Sequence, residues 1–213
     1  VEDCWAFVAR ELNGITLLRF GDHQLDLAPP WRRTTMQEAL LQRTGIDIYQ
    51  ASTLEALQTE IAARGLRIDR KPTWGKQVDE LFSETVEPHL IQPTLVMDYP
   101  YELSPFAKRK PDNPNIVERF EFFIGGMEIA NAFTELNDPL EQLERFEEQQ
   151  RAAEAGDAEA QPIDLDYINA LMYGMPPTGG IGWGIDRMAM IFTGQRTIRE
   201  VILFPQLRAS DGS

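Results

Sequence analysis

Cysteine is almost missing from this chain: Cys4 stands alone, so no internal disulfide can form. No CxxC or paired Cys/His spacing points to zinc, and the two histidines, His23 and His89, lie far apart without a partner pattern. A reducing, cytoplasmic setting is the simple reading. Positive charge is also short, with 20 Lys and Arg against 34 Asp and Glu and a formal net charge of -14. That balance opposes broad contact with a phosphate backbone, so any nucleic-acid role must be local or belong to other parts of a larger protein. No apolar run reaches the roughly 20 residues that span a bilayer, and the N-terminus lacks a basic stretch followed by a hydrophobic one. No membrane partner is expected.

What the chain does hold is 213 residues with 43% hydrophobic content, enough for one sizeable globular unit and short for two. It opens on Val1, and VEDCWAFVAREL already has helical periodicity with no capping residue ahead of it. The chain is therefore expected to start inside a helix, as a fragment would. Gly14 suits a left-handed stop, ITLLRF reads as a buried strand, and a second strand fits His23 to Leu27. Thr34 and Thr35, with Gln37 and Glu38 three residues on, offer capping boxes for a helix to about Arg43. Thr53 opens another ending near Gly65, and a third fits Lys76 to Val86. Residues 30–90 thus read as a mostly helical insertion.

From Thr94 the pattern changes. TLVMDYP is strand-like, SPFAKRKPDNPN is a polar loop, and VERFEFFIGGMEIANAFTEL reads as a hairpin turning at Gly125 and Gly126. Asp138, Pro139 and Glu141 start a helix to about Glu154: aspartate caps, proline suits the first turn and glutamate reaches back. Leu140, Leu143 and Phe146 should form its apolar side, followed by the small polar loop AGDAEAQ. Asp164 caps a helix ending at Gly174 before Pro176 and Pro177. GGIGWGI is a strand feeding a helix from Asp186, and Thr197 with Glu200 caps a last short turn. Strands and helices do not alternate regularly, so the expected fold is α+β, an antiparallel sheet flanked by helices.

Three clusters can carry chemistry. Gly179, Gly180, Gly182 and Gly184 leave a strand bare, so a flat ligand or another backbone can lie close, and Arg187 follows in the first helical turn. Helix amides and a guanidinium suit a polyphosphate, and the guanidinium can lie on an aromatic ring. The same pattern also describes a glycine-rich strand whose arginine pairs with a surface carboxylate. Glu121 and Glu128 flank the Gly-Gly turn. With an even-numbered loop, Glu128 lies opposite Phe123 and both carboxylates share a face, where Mg²⁺ holding substrate phosphates would relieve their repulsion. Two solvated glutamates would look alike in sequence. Asn131, Phe133 and Glu135 alternate on one strand face and suit a ligand with an apolar stem and a cationic end. They equally describe an edge strand with Phe133 in the core. Regular alternation sets Glu128 and Asn131 on opposite faces, so a shared site requires a bulge between them or another loop geometry. The basic run Lys108, Arg109 and Lys110 reads as a solvated loop.

In chain order, TLVMDYPYELSPFAK, ERFEFFIGGMEIANAFTELNDP and YGMPPTGGIGWGIDR resemble the C-terminal part of class II lysyl-tRNA synthetases, densely from about residue 93 to 208. The glycine-rich segment looks like a motif shared by several class II synthetases, whereas NAFTELNDP and GMPPTGG are more specific for lysine. The resemblance implies a class II catalytic core, incomplete at its N-terminal side, that activates lysine with ATP to lysyl-adenylate and passes it to tRNA(Lys). It implies Glu121 and Glu128 as Mg²⁺ ligands and Asn131, Phe133 and Glu135 as the lysine pocket, with Glu135 facing the cationic end. It places Gly180, Gly182 and Gly184 beneath the nucleotide and gives Arg187 a catalytic, ATP-contacting role at adenine and γ-phosphate. A homodimeric, cytoplasmic parent protein follows from the same resemblance.

Met172 departs from the family, in which glutamate is frequent at that place. No segment resembles the anticodon-binding barrel, the dimer-forming motif, or the motif whose arginine holds the α-phosphate. Those parts are expected upstream of Val1, and the chain alone is expected to be inactive. Two other readings are a paralogue that lysylates elongation factor P and a non-catalytic regulatory or interaction fragment. An aspartate-specific pocket would need a cation where this chain has Glu135.

Overall fold

The computed structural model describes residues 1–154, 156 and 162–205. Helix α1 (Glu2–Asn13) ends on Gly14 in the left-handed conformation, as its missing Cβ permits. Strands β1 (Leu17–Phe20) and β2 (His23–Asp26) pair antiparallel in a sheet of their own. Strand β3 (Arg32–Thr35) leads into α2 (Met36–Thr44), where Thr35 and Glu38 make the full capping box. Helices α3 (Leu54–Ala63) and α4 (Trp74–Thr85) are each capped by a threonine hydroxyl, Thr53 and Thr73.

β4 (Thr94–Pro100), β5 (Arg109–Lys110), β6 (Asn113–Ile124) and β7 (Met127–Thr134) follow. Then come α5 (Pro139–Glu154), α6 (Leu165–Met172), β8 (Gly179–Trp183) and α7 (Ile185–Thr193). The loop AGDAEAQ expected after α5 lies, apart from Gly156, outside the described residues.

The main sheet is six-stranded, in the order β3-β4-β6-β7-β8 with β5 beside β6. Its long pairs are antiparallel, but β3 runs parallel to β4, which sequence periodicity did not reveal. Parallel neighbours need a crossover, and residues 36–93, with α2, α3 and α4, provide it. A 3-10 turn (Tyr101–Leu103) precedes the segment read as a polar loop, which itself holds β5 and the start of β6. Its basic run is ordered by carboxylates: Lys110 meets Asp98 at 2.6 Å and Arg109 meets Glu141 at 3.1 Å.

Strand alternation divides the core between the two sheet faces. One face places Val96, Tyr99, Val117 and Phe123 against α2, α3 and α4. On the other, Leu95, Phe122, Ile124, Ile129 and Ala130 pack with Trp5, the β1–β2 hairpin and Ile191 of α7. Trp31 stacks on Phe122 with ring centroids 4.5 Å apart, and Trp5 meets the same ring edge-on at 5.1 Å. Helix α5 differs from expectation. Leu140 is exposed, and the buried side consists of Gln142, Arg145 and Phe146. Glu141 does not reach back to cap the helix; it joins Arg109 and Arg145, whose guanidiniums lie 4.4 and 4.7 Å from the Tyr101 ring.

Candidate active site

The hairpin of β6 and β7 turns through Gly125 (φ 63) and Gly126 (φ 75), and Ile124 pairs with Met127 across this two-residue turn. Positive φ at both central residues is the requirement of a turn that matches strand twist, and glycine meets it without strain. Glu128 consequently stands opposite Phe123. The next pair is Phe122 with Ala130, so Ile129 is an extra residue on β7. Ile129 and Ala130 both belong to the second core, which turns Asn131 back to the face of Glu128. This is the bulge that a shared site requires.

Beyond the bulge, three strands align their residues in rows. Glu121, Asn131 and Gly182 form one row; Arg119, Phe133 and Gly180 form the next. Glu135 continues the alternation, and a Cβ built on Gly180 would fall on its carboxylate oxygen. Glycine is therefore required there by a side chain crossing over the strand. Gly182 leaves the neighbouring surface bare, its nearest foreign atom being the Asn131 carbonyl at 3.8 Å from an added Cβ. At Gly184 an added Cβ would lie 3.1 Å from the Ile129 carbonyl oxygen, which already accepts the Gly184 N–H at 2.8 Å. Bulge, glycine strand and start of α7 are thus fitted to one another.

Arg187, in the first turn of α7, donates to the Glu128 backbone carbonyl and stands 3.5 Å from its carboxylate. The surface ion pair anticipated as an alternative reading exists, with Glu128 as its acid. Both side chains remain substantially exposed, at 48% for Arg187 and 38% for Glu128, so this pair holds little energy and leaves room for a ligand.

Glu121 is more enclosed. Arg119 contacts one carboxylate oxygen, and the Tyr99 hydroxyl donates to the other at 2.7 Å. Burial raises its pKa, the Arg119 charge and Tyr99 hydrogen bond oppose that, and Glu128 adds to the rise. Glu87, on the 3-10 turn Glu87–His89, joins the same acidic corner. Its carboxyl is raised chiefly by burial, with the charges of Glu121 and Glu128 contributing. The hairpin turn is tied to this segment, since Gly125 and Gly126 donate to the carbonyls of Ile91 and Leu90 at 2.9 and 3.1 Å.

Among the described residues, no group of three or more His, Cys, Asp or Glu is placed to hold a metal ion by itself. Mg²⁺ characteristically takes one or two carboxylates and completes its shell with water and substrate phosphates, so the oxygen pair Glu121 and Glu128 fits it. Each Glu121 oxygen retains a lone pair beyond its present contact. Glu135 is different again: burial raises its pKa, and among the described residues no cation is paired with it.

A cavity of about 750 Å³ opens beside these groups, lined by Asn131, Phe133 and Arg119 together with Tyr101, Ser104 and Arg145. Arg119, Tyr99 and Glu87 were not singled out in the sequence. Arg119 alone carried a usable signal, since it lies two residues before Glu121 on the same strand face.

Comparison with known proteins gives the family. Residues 1–208 match the family described as tRNA synthetases class II (D, K and N). The chain is 58% identical over 211 residues to the lysine–tRNA ligase of Roseiflexus sp. (strain RS-1), covering 99% of this chain and 43% of that protein. It is 59% identical over 208 residues to the enzyme of that name from Chloroflexus aurantiacus, covering 98% of this chain and 42% of the relative. For Dehalococcoides mccartyi (strain CBDB1) the identity is 50% over 209 residues, again covering 98% and 42%. The chain thus spans less than half the length of these curated relatives. With residues 1–208 matched by that family's model, this chain belongs to the class II tRNA synthetases (D, K and N).

Proposed function

We propose that this chain supplies the lysine pocket and part of the ATP site of a lysine–tRNA ligase. One observation carries the reading. The Ile129 bulge brings Glu121, Glu128, Asn131, Phe133 and Glu135 to one sheet face, beside a glycine strand that leads into the helix bearing Arg187. A partly buried carboxylate with no cation paired to it among the described residues is matched by an ammonium at the end of an apolar stem, which is lysine's chemistry.

Glu135 receives the ε-ammonium, Phe133 lines the stem, and Asn131 orients the polar end. Gly180, Gly182 and Gly184 let the nucleotide lie close, while Arg187 leaves Glu128 to meet the adenine ring and γ-phosphate. Glu121 and Glu128 are the residues that would hold Mg²⁺, which when bound supplies neutralisation of charge on the phosphate oxygens. Lysine's carboxylate oxygen then bonds to the α-phosphorus of ATP as the bond to pyrophosphate breaks, giving lysyl-adenylate. Alignment and preorganised charge provide the rate, without a covalent enzyme intermediate. Transfer to tRNA(Lys), a homodimeric state and a cytoplasmic location belong to the same proposal for the whole protein.

The test is lysine-dependent exchange of pyrophosphate into ATP by the full-length protein carrying this segment. Glu135→Gln is expected to lower kcat/KM for lysine by about 100-fold, the scale for losing one member of an enclosed charge pair. Equal exchange with aspartate, or unchanged lysine kinetics in the variant, would overturn the reading.

A further inference from the structure

We infer that Arg119 is a positioning residue that couples the amino-acid pocket to the acidic, phosphate-facing corner, holding Asn131 and Glu121 with one guanidinium. The inference rests on the proposed function and adds to it a connection between two subsites.

The guanidinium is almost saturated. Its Nε donates to Asn131 Oδ1 at 3.0 Å, and Nη1 donates to the Leu103 carbonyl at 3.0 Å and to Ser104 Oγ at 2.7 Å. Nη2 contacts the Glu121 carboxylate, and the group lies 4.5 Å from the centroid of the Tyr99 ring. Tyr99 in turn donates its hydroxyl to the other oxygen of Glu121. Only 14% of the Arg119 side chain is exposed, so these contacts are shielded from water.

Two consequences follow from donor chemistry. Arginine has no acceptor, so the oxygen of the Asn131 amide must face it, and the Asn131 NH₂ is turned outward as a donor for the bound substrate. Glu121 is held from both sides, by Arg119 and by Tyr99, so its remaining lone pairs point in fixed directions. A planar fork can serve Asn131, Glu121 and the 103–104 turn at once; the single nitrogen of lysine cannot. One side chain therefore sets the aim of the amide in the lysine pocket and of a carboxylate proposed to hold Mg²⁺. Because Leu103 and Ser104 lie on the segment after β4, the same guanidinium also fixes that segment as a wall of the cavity.

The experiment measures the lysine KM and the Mg²⁺ concentration at half-maximal pyrophosphate exchange in the full-length protein. Arg119→Lys is expected to raise both, each by about ten-fold, as loss of a charge-assisted hydrogen bond would. Asn131→Ala should raise the lysine KM alone, and Glu121→Gln should shift the Mg²⁺ dependence alone. Adding Arg119→Lys to Asn131→Ala should move the lysine KM no further while still shifting Mg²⁺, because the amide through which Arg119 acts is gone.

Additive effects on lysine KM in the double variant would overturn the coupling, as would an Arg119→Lys protein with lower thermal stability but both constants unchanged. If Arg119→Lys does not fold, Ser104→Ala removes one anchor and leaves the guanidinium in place. It should move both constants together by a smaller factor, and movement of only one overturns the inference. Lysine-independent wild-type exchange would overturn the functional reading and the coupling with it. Lysine-dependent wild-type exchange with unshifted constants in Arg119→Lys would overturn the coupling alone.

Discussion

Gly180 shows how a single missing Cβ shapes this site. The Glu135 carboxylate occupies the position that a methyl group at Gly180 would take. The backbone there does not have positive φ, so alanine is sterically acceptable to the strand itself. Gly180→Ala should therefore displace Glu135 while leaving stability within about 1 kcal/mol of the parent. We expect a lysine KM raised about ten-fold, measured by pyrophosphate exchange beside a thermal melt. An unchanged KM would place the Glu135 carboxylate outside the pocket. At this scale the sequence was informative where residues alternate along one strand: 131, 133 and 135 share a face because β-structure repeats every second residue. It was silent on Tyr99 and Glu87, whose partners are distant in the chain and meet only when β4 and the preceding turn dock on the hairpin.

Among the elements, α4 and the 3-10 turn after β4 meet at Glu102. Its carboxylate accepts the Gly75 N–H in the first turn of α4, and an added Cβ on Gly75 would stand 3.1 Å from Glu102 Cβ. A helix N-terminus favours an anion, yet the pKa of Glu102 is raised, because loss of water outweighs the Gly75 hydrogen bond and Glu148 adds repulsion. The folded state thus binds this proton more tightly than the unfolded chain does. Stability from Glu102 is fully present below the ordinary glutamate value and is lost as pH rises through the raised folded value. Glu87, Glu121 and Glu135 slope in the same direction, so the measurement is a difference. Urea midpoints of Glu102→Gln should fall less steeply with pH in that window than those of the parent chain; identical slopes would contradict the assignment.

Helix boundaries at this scale were largely readable, since Thr35, Thr53 and Asp164 cap where their sequences indicate. The buried face of α5 was not. Arg145 is only 2% exposed because Tyr101 and Glu141 receive its charge, and although Glu141 is its i,i+4 neighbour, Tyr101 lies 44 residues away in the chain.

Over the whole molecule, one sheet separates two cores, and β6 contributes to both through adjacent residues, Phe122 and Phe123. Phe122 is fully buried between Trp31 and Trp5. Phe122→Ala should cost about 3–5 kcal/mol in equilibrium urea unfolding, the range for removing a buried aromatic ring. A loss below about 1 kcal/mol would show that the second core closes around the gap.

The α+β composition, the hairpin at Gly125 and Gly126 and most helix caps were legible in the sequence, as was the strand face shared by residues 131 and 133. These depend on short-range rules: side-chain period, glycine's conformational freedom and hydroxyl capping. Residue spacing set the condition for one site, a bulge between Glu128 and Asn131 or another loop geometry, but could not decide whether either was met. Tertiary structure decided that, because Ile129 leaves the ladder to bury itself in the second core while the Gly184 amide binds its carbonyl. It likewise decided the parallel placement of β3 and the role of Arg119, whose partners come from three separate stretches of chain. Such groupings follow from hydrogen-bond saturation and burial in the folded state, and neither is written in the spacing of any one segment.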